Sequence, residues 1–257
     1  MPILLDTFWN AITTGIIGSL IAGFLTIAII EGYKYYKLNL QNKQFNKIFG
    51  TYDQDRLHMV VPSLAVRPDV IHLLQNSALQ GNQFPLIKYG GAFIKSSKLL
   101  AYADTVAMKY VLDIVATTLG SKSVIMTDED LQNNLDISLV SFGGSSFYCT
   151  YILGQADNNF YTYNGNSIVS KQDANKSFQI NGTYDYGFII KYRHTNFPNR
   201  TWIIIAGLGE SGTRGAGWFL AANWRQLSET FNDAPFGLVV RVNHGIDNSA
   251  IEVDRLT

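Results

Sequence analysis

Two glycine-rich segments hold the residue types best suited to chemistry. The first runs Val140, Ser141, Phe142, Gly143, Gly144, Ser145, Ser146. An apolar strand enters two glycines and then two serines at the start of a helix. Glycine permits close backbone approach. Free amides and the helix dipole at such a point favour an anion, phosphate or carboxylate. The same residues also suit a tight strand-to-helix turn in which a serine caps the helix. The second segment runs from Ile205 to Ala216 and contains a literal G-x-G-x-x-G, Gly207 to Gly212, after a strand and before a helix. That is the context of the dinucleotide fingerprint. The fingerprint normally opens its domain, whereas this one lies near the end of the chain. The strand that should end in a ribose-binding acid ends in Val242, Asn243 and His244. The loop Gly207, Gly209, Glu210, Gly212, Thr213, Arg214 is therefore a candidate phosphate or nucleotide contact, not a normal NAD site. Arg214 offers a bidentate charge for phosphate, or else a surface ion pair. Glu210 faces a ribose hydroxyl, or else solvent. The ligand expected at these six positions, together with Gly143, Gly144, Ser145 and Ser146, is nucleotide-like.

Other reactive side chains point less clearly to chemistry. His58 and His194 have no recognisable triad partner, and no histidine pair has metal-ligand spacing. One cysteine, Cys149, excludes an intramolecular disulfide and a cysteine zinc site. Asp128, Glu129 and Asp130 read as a solvated turn rather than a cation site. Asp104 reads as a first-turn acid of a helix. No catalytic residue is assigned.

The elements that would position the loops alternate along the chain. Leu57 to Val61 reads as a strand, with Pro62 and Ser63 bordering the crevice beyond it. Leu99 to Leu119 reads as a helix, and Ser123 to Met126 and Ile137 to Phe142 as strands. A short helix follows Ser146. Phe188 to Tyr192 and Thr201 to Ala206 read as strands, Thr213 to Leu227 as a helix, and Phe236 to Val242 with Ala250 to Val253 as a closing antiparallel pair. The tyrosine- and asparagine-rich stretch 157–185 reads as a hairpin or irregular insertion. Strands apolar on both faces, alternating with helices, predict a mostly parallel, Rossmann-like three-layer sheet with an antiparallel edge. Such sheets take ligands at the carboxyl ends of their strands.

From Thr7 to Ile30 no residue is charged. At ~1.5 Å of rise per residue, that run predicts a membrane-spanning helix over residues 1–32 with its N-terminus outside. The lysines that follow, Lys34, Lys37, Lys43 and Lys47, predict a basic juxtamembrane stalk helix over 33–50. By the positive-inside rule they place an α/β ligand-binding domain, 51–257, in the cytoplasm. The chain is then a single-pass protein of the inner membrane. Gly15, Ser19 and Gly23, beside Gly18 and Ala22, form small-residue rows that predict self-association of the anchor within the lipid bilayer. Lysine plus arginine and aspartate plus glutamate both total 20, a balance that argues against a general nucleic-acid binder.

The strand, Gly143-Gly144, Ser145-Ser146, helix arrangement and the alternating layout resemble the small nucleotide-handling sheets of TIR domains and nucleoside deoxyribosyltransferases. Behind an N-terminal helix, the whole resembles membrane effectors of bacterial anti-phage signalling. The resemblance implies a homo-oligomeric sensor or effector. A nucleotide or short oligonucleotide signal, made by a separate enzyme, would control its assembly or gate an ion channel. Two other readings stay open. One is a membrane-tethered NAD or nucleoside hydrolase using Glu210 or Asp104, and the other is a membrane scaffold whose glycines serve only turns.

Overall fold

The computed structural model describes residues 2–50, 57–62, 64–65, 98–99, 101–119, 123–131, 134–155, 157–163 and 165–257, without the side chains of 2–22, 64–65, 98–99 and 119. The chain divides into two compact units, Met1–Lys43 and Gln44–Thr257.

Helix α1 is continuous over Pro2–Phe49. In the first unit every described side chain from Gly23 to Leu40 is exposed. Among the described residues no helix is long and apolar enough to cross a membrane. This corrects the expectation of a single transmembrane helix. The described side chains of α1 begin at Gly23; from there the uncharged run ends at Ile30, and Glu31, Lys34 and Lys37 follow. A span needs roughly 20 consecutive apolar residues. Of the small-residue rows, the side chains of Gly15, Gly18, Ser19 and Ala22 lie outside the described residues. At Gly23 an added Cβ would meet nothing within 4 Å.

The second unit is built on a seven-stranded sheet. Its strands are β1 (Leu57–Val61), β4 (Ser123–Thr127), β5 (Leu139–Phe142), β9 (Tyr184–Tyr192), β10 (Trp202–Gly207), β11 (Phe236–Asn243) and β12 (Ile246–Leu256). The spatial order is β12-β11-β9-β10-β5-β1-β4. β4, β1, β5 and β10 are parallel neighbours. β9, β11 and β12 continue the sheet antiparallel. The sheet is thus mixed, which corrects the expectation of a mostly parallel one. That expectation equated burial on both faces with parallel pairing. Here β9 and β11 are covered on both faces although they run antiparallel, so their apolar runs carry no information about direction.

Alternate side chains of β10 show what covers each face. Ile203 and Ile205 join one apolar cluster with Phe45, Ile48 and Phe49 of α1, with α2 (Tyr102–Leu119) and with α4 (Glu210–Phe231). Trp202, Ile204 and Ala206 join the other, with α3 (Phe147–Gly154) and residues of a small sheet. That sheet, β6 (Tyr161–Tyr163), β7 (Ser167–Ser170) and β8 (Ser177–Gln179), is the 157–185 insertion. A separate two-stranded pair, β2 (Leu64–Ala65) and β3 (Lys98–Leu99), brackets the segment between β1 and α2.

Candidate functional site at the carboxyl ends of β5 and β10

β5 and β10 are adjacent and parallel, with Ile205 opposite Phe142. After β5 the chain crosses to the face covered by α3; after β10 it crosses to the face covered by α4. Neighbouring parallel strands whose connections leave on opposite faces form a topological switch point, where open α/β sheets bind ligands. Both glycine loops foreseen in the sequence meet at this point. Gly143 N donates to Ile205 O at 2.9 Å, tying one loop to the other strand.

The loop after β5 turns at Gly143, whose φ of +88° is a left-handed conformation suited to glycine. Ser146 is buried, and its hydroxyl lies 2.5 Å from that of Ser141. It therefore makes no side-chain cap on α3. The α3 N-terminus is instead capped from outside, since Phe147 N donates to Asp128 Oδ2 at 3.0 Å. Ser145 is exposed. Gly144 lies against Tyr163, and a Cβ there would stand 2.7 Å from the tyrosine oxygen.

The G-x-G-x-x-G loop is occupied from within the chain. Asp185, 1% exposed, sits under it. Gly212 N donates to Asp185 Oδ2 at 2.6 Å, and Gly209 N and Tyr186 N donate to Oδ1 at 3.2 and 2.7 Å. An internal carboxylate thus holds the amides that a phosphate would use, at the positive end of α4. The glycines serve close packing. A Cβ on Gly207 would lie 2.2 Å from Thr213 N, and one on Gly212 would lie 2.2 Å from Tyr186 O. Thr213 folds its hydroxyl back onto Gly209 O at 3.4 Å. Glu210 is exposed. Arg214 faces Asp247 at 3.0 Å, an ion pair whose angles fall short of a hydrogen bond, and lies over the Tyr102 ring. Tyr110 donates to the other Asp247 oxygen at 2.9 Å.

A carboxyl group that the sequence reading treated as a helix-start acid is the most unusual group here. Asp104, in the first turn of α2, is 6% exposed and makes no hydrogen bond or ion pair among the described residues. It presses on the β5 loop, where a Cβ on Gly143 would meet Asp104 Oδ2 at 2.3 Å. Burial pushes its carboxyl up to about 6 from 3.8. Its charge is felt by two neighbours. The Cys149 thiol, fully buried on α3, is pushed well up by burial and then by Asp104. The Tyr163 hydroxyl is pushed up by burial, then by Cys149, Asp104 and Asp185. Tyr163 donates to Gly207 O at 3.3 Å, so it bridges the two loops. Asp104, Gly143, Gly144, Tyr163 and Gly207 form one constellation, with Asp185 beneath it.

The remaining candidates are accounted for locally. His194 stacks on Tyr151 and hydrogen-bonds its hydroxyl at 2.8 Å, while its Nδ1 accepts from Asn196 N. His58 lies 3.4 Å from Ser138 O. Asp130 closes a turn with Thr127, whose amide donates to it at 3.0 Å. Pro62 is buried at the end of β1; Ser63 lies outside the described residues. Asp185 escaped sequence reasoning because the stretch 157–185 reads as an irregular insertion, whereas Asp185 lies at the start of β9, well upstream of the loop it closes. Asp104 carried a signal in its position at a helix start, but its isolation is a tertiary property.

Together these features define an open, mixed α/β domain whose two glycine loops meet at a switch point. No protein-family model matches the chain, and no curated protein matches it.

Proposed function

We propose that the second unit is a ligand-binding sensor domain whose ligand, of the nucleotide class, binds between the carboxyl ends of β5 and β10. One observation carries this reading. Among the described residues Asp104 is a buried carboxyl without a hydrogen-bond or ion-pair partner, and it lies at the switch point, where open α/β sheets bind ligands. Buried polar groups normally find partners, and those that do not are concentrated at functional sites. The resemblance to anti-phage effectors supports a signalling role, with binding altering the assembly of the chain. Ligand must then favour one assembly state over the other.

The test is thermal unfolding of the purified chain against a panel of nucleosides, nucleotides and short oligonucleotides. Mass spectrometry of small molecules that co-purify with it runs alongside. A ligand present at 100 times its Kd stabilises by about 2.7 kcal/mol. The shift should vanish in Asp104→Asn. A full panel without a shift, from folded protein that also carries no small molecule, would reject the sensor reading.

A second reading rests on the same carboxyl. A group raised to about 6 lies in the range useful for proton transfer. The domain would then be a nucleoside or NAD hydrolase, with Asp104 acting on the leaving base. It predicts release of free base, read by chromatography. Binding without release separates sensor from hydrolase.

A further inference from the structure

We infer that the ligand meets this switch point with an uncharged, hydrogen-bond-donating end, the hydroxyl pair of a ribose, and that phosphate is kept out of both glycine loops. The inference rests on the sensor reading above and specifies which part of the ligand the site takes.

Three observations support it. Both helix N-termini that would receive phosphate already hold a carboxylate. Asp185 accepts from Gly209 N and Gly212 N at α4, and Asp128 accepts from Phe147 N at α3. A phosphate would have to displace an internal anion and then lie beside it, against like charge. The cation of the loop, Arg214, is turned to Asp247 and Tyr102. The remaining group, Asp104, is an acceptor. An ionised carboxylate has four lone-pair sites and no donor, so its natural complement is a pair of donors. Burial around Asp104 is costly for a second ion but much less so for neutral hydroxyls. Tyr163 already donates to Gly207 O, which leaves its oxygen lone pairs as further acceptors on the same side.

The probes are the four ribonucleosides, their 3′-monophosphates and the matching 2′,3′-dideoxynucleosides. Each is titrated by calorimetry into the full chain at pH 7.5 and pH 5. The expected result is at least one ribonucleoside binding about tenfold or more tightly than both its monophosphate and its dideoxy analogue. Its affinity should be higher at pH 7.5, where Asp104 is ionised. Asp104→Asn should lose that affinity tenfold or more along with the pH difference, and circular dichroism should show an unchanged fold. A monophosphate that binds as tightly as its nucleoside or more so would overturn the inference while leaving the sensor reading intact. So would a dideoxynucleoside equal to the ribonucleoside. Failure of all probes, with the panel above also silent, would remove both together.

Discussion

Asp104 carries a cost in stability that can be read at a single residue. Its carboxyl is raised from 3.8 to about 6 by burial, so the folded chain keeps a proton that the unfolded chain releases between about pH 4 and pH 6. Stability from this group is therefore greatest below pH 4 and falls as pH rises through 6. At neutral pH the ionised carboxylate costs on the order of 2–3 kcal/mol. Asp104→Asn should raise stability at pH 8 by up to about that amount and flatten the profile between pH 4 and 6, as read by urea unfolding. Loss of binding with gain of stability is what a site residue shows; a structural acid would lose stability. The two aspartates that close the helix starts behave oppositely. Asp185→Ala strands the Gly209 and Gly212 amides beneath α4 and should cost about 2–4 kcal/mol, measured the same way. None of this was legible from residue types. Sequence shows which amides a glycine loop exposes, but not that a carboxylate of β9 arrives to fill them.

Among the elements, legibility followed local pattern. β1 was read at its true limits, Leu57–Val61, because a five-residue run with four apolar residues ends at Pro62. α2 was placed by its helical spacing, and the β11–β12 hairpin was recognised as antiparallel. Strand direction was not legible in the centre of the sheet. β9 is buried over most of its length, as a central parallel strand would be, yet it pairs antiparallel with β10 and β11. The insertion β6–β8 reverses the chain before β9, and its polar, tyrosine-rich sequence gave no sign of that. The glycine fingerprint shows a related limit. Its spacing was correct and so was its strand–loop–helix context, but the packing reason was hidden. Gly187 of β9 lies so close to α4 that a Cβ there would sit 2.1 Å from Gly212 O. Gly212→Ala would drive a methyl against Tyr186 O at 2.2 Å, backbone that cannot rotate away. It should lower stability by roughly 2–3 kcal/mol in denaturant unfolding. The loss arises in helix–strand packing, so it should persist for the free protein and not depend on any ligand.

At the scale of the whole molecule, the end of α1 belongs to the α/β unit. Phe45, Ile48 and Phe49 are buried in its main cluster, with Phe45 stacked on Phe49 at 4.3 Å. Sequence placed the boundary at Gly50, after the last helical residue; packing places it before Gln44. A chain beginning at Gln44 should fold cooperatively, whereas one beginning at Thr51 loses three core side chains, each worth roughly 1.5–3 kcal/mol of burial, and should be unfolded or aggregated by circular dichroism and light scattering. The tie is polar as well as apolar. Lys191 of β9, fully buried, donates to the Lys47 carbonyl near the last turn of α1 and to Asp233 O at 2.9 Å, with Asp233 Oδ1 at 3.3 Å. Arg193 also pairs with Asp233. Burial lowers the Lys191 ammonium to about 8, against the pull of Asp233. Between pH 8 and 10.5 the unfolded chain therefore holds a proton that the folded chain has released, and stability from this group rises with pH. Buried tyrosines such as Tyr161 and Tyr192, whose hydroxyls are pushed up, oppose the trend once unfolded tyrosine ionises near pH 10. Cys149, its thiol pushed well up by burial, opposes the trend from about pH 8.5, where the unfolded thiol ionises. In a Cys149→Ala background the chain should therefore become more stable to urea with rising pH over about pH 8 to 9.5, and adding Lys191→Met should remove the slope. A slope that survives in that double variant would mean that another group, not the lysine beneath the end of α1, titrates in this range.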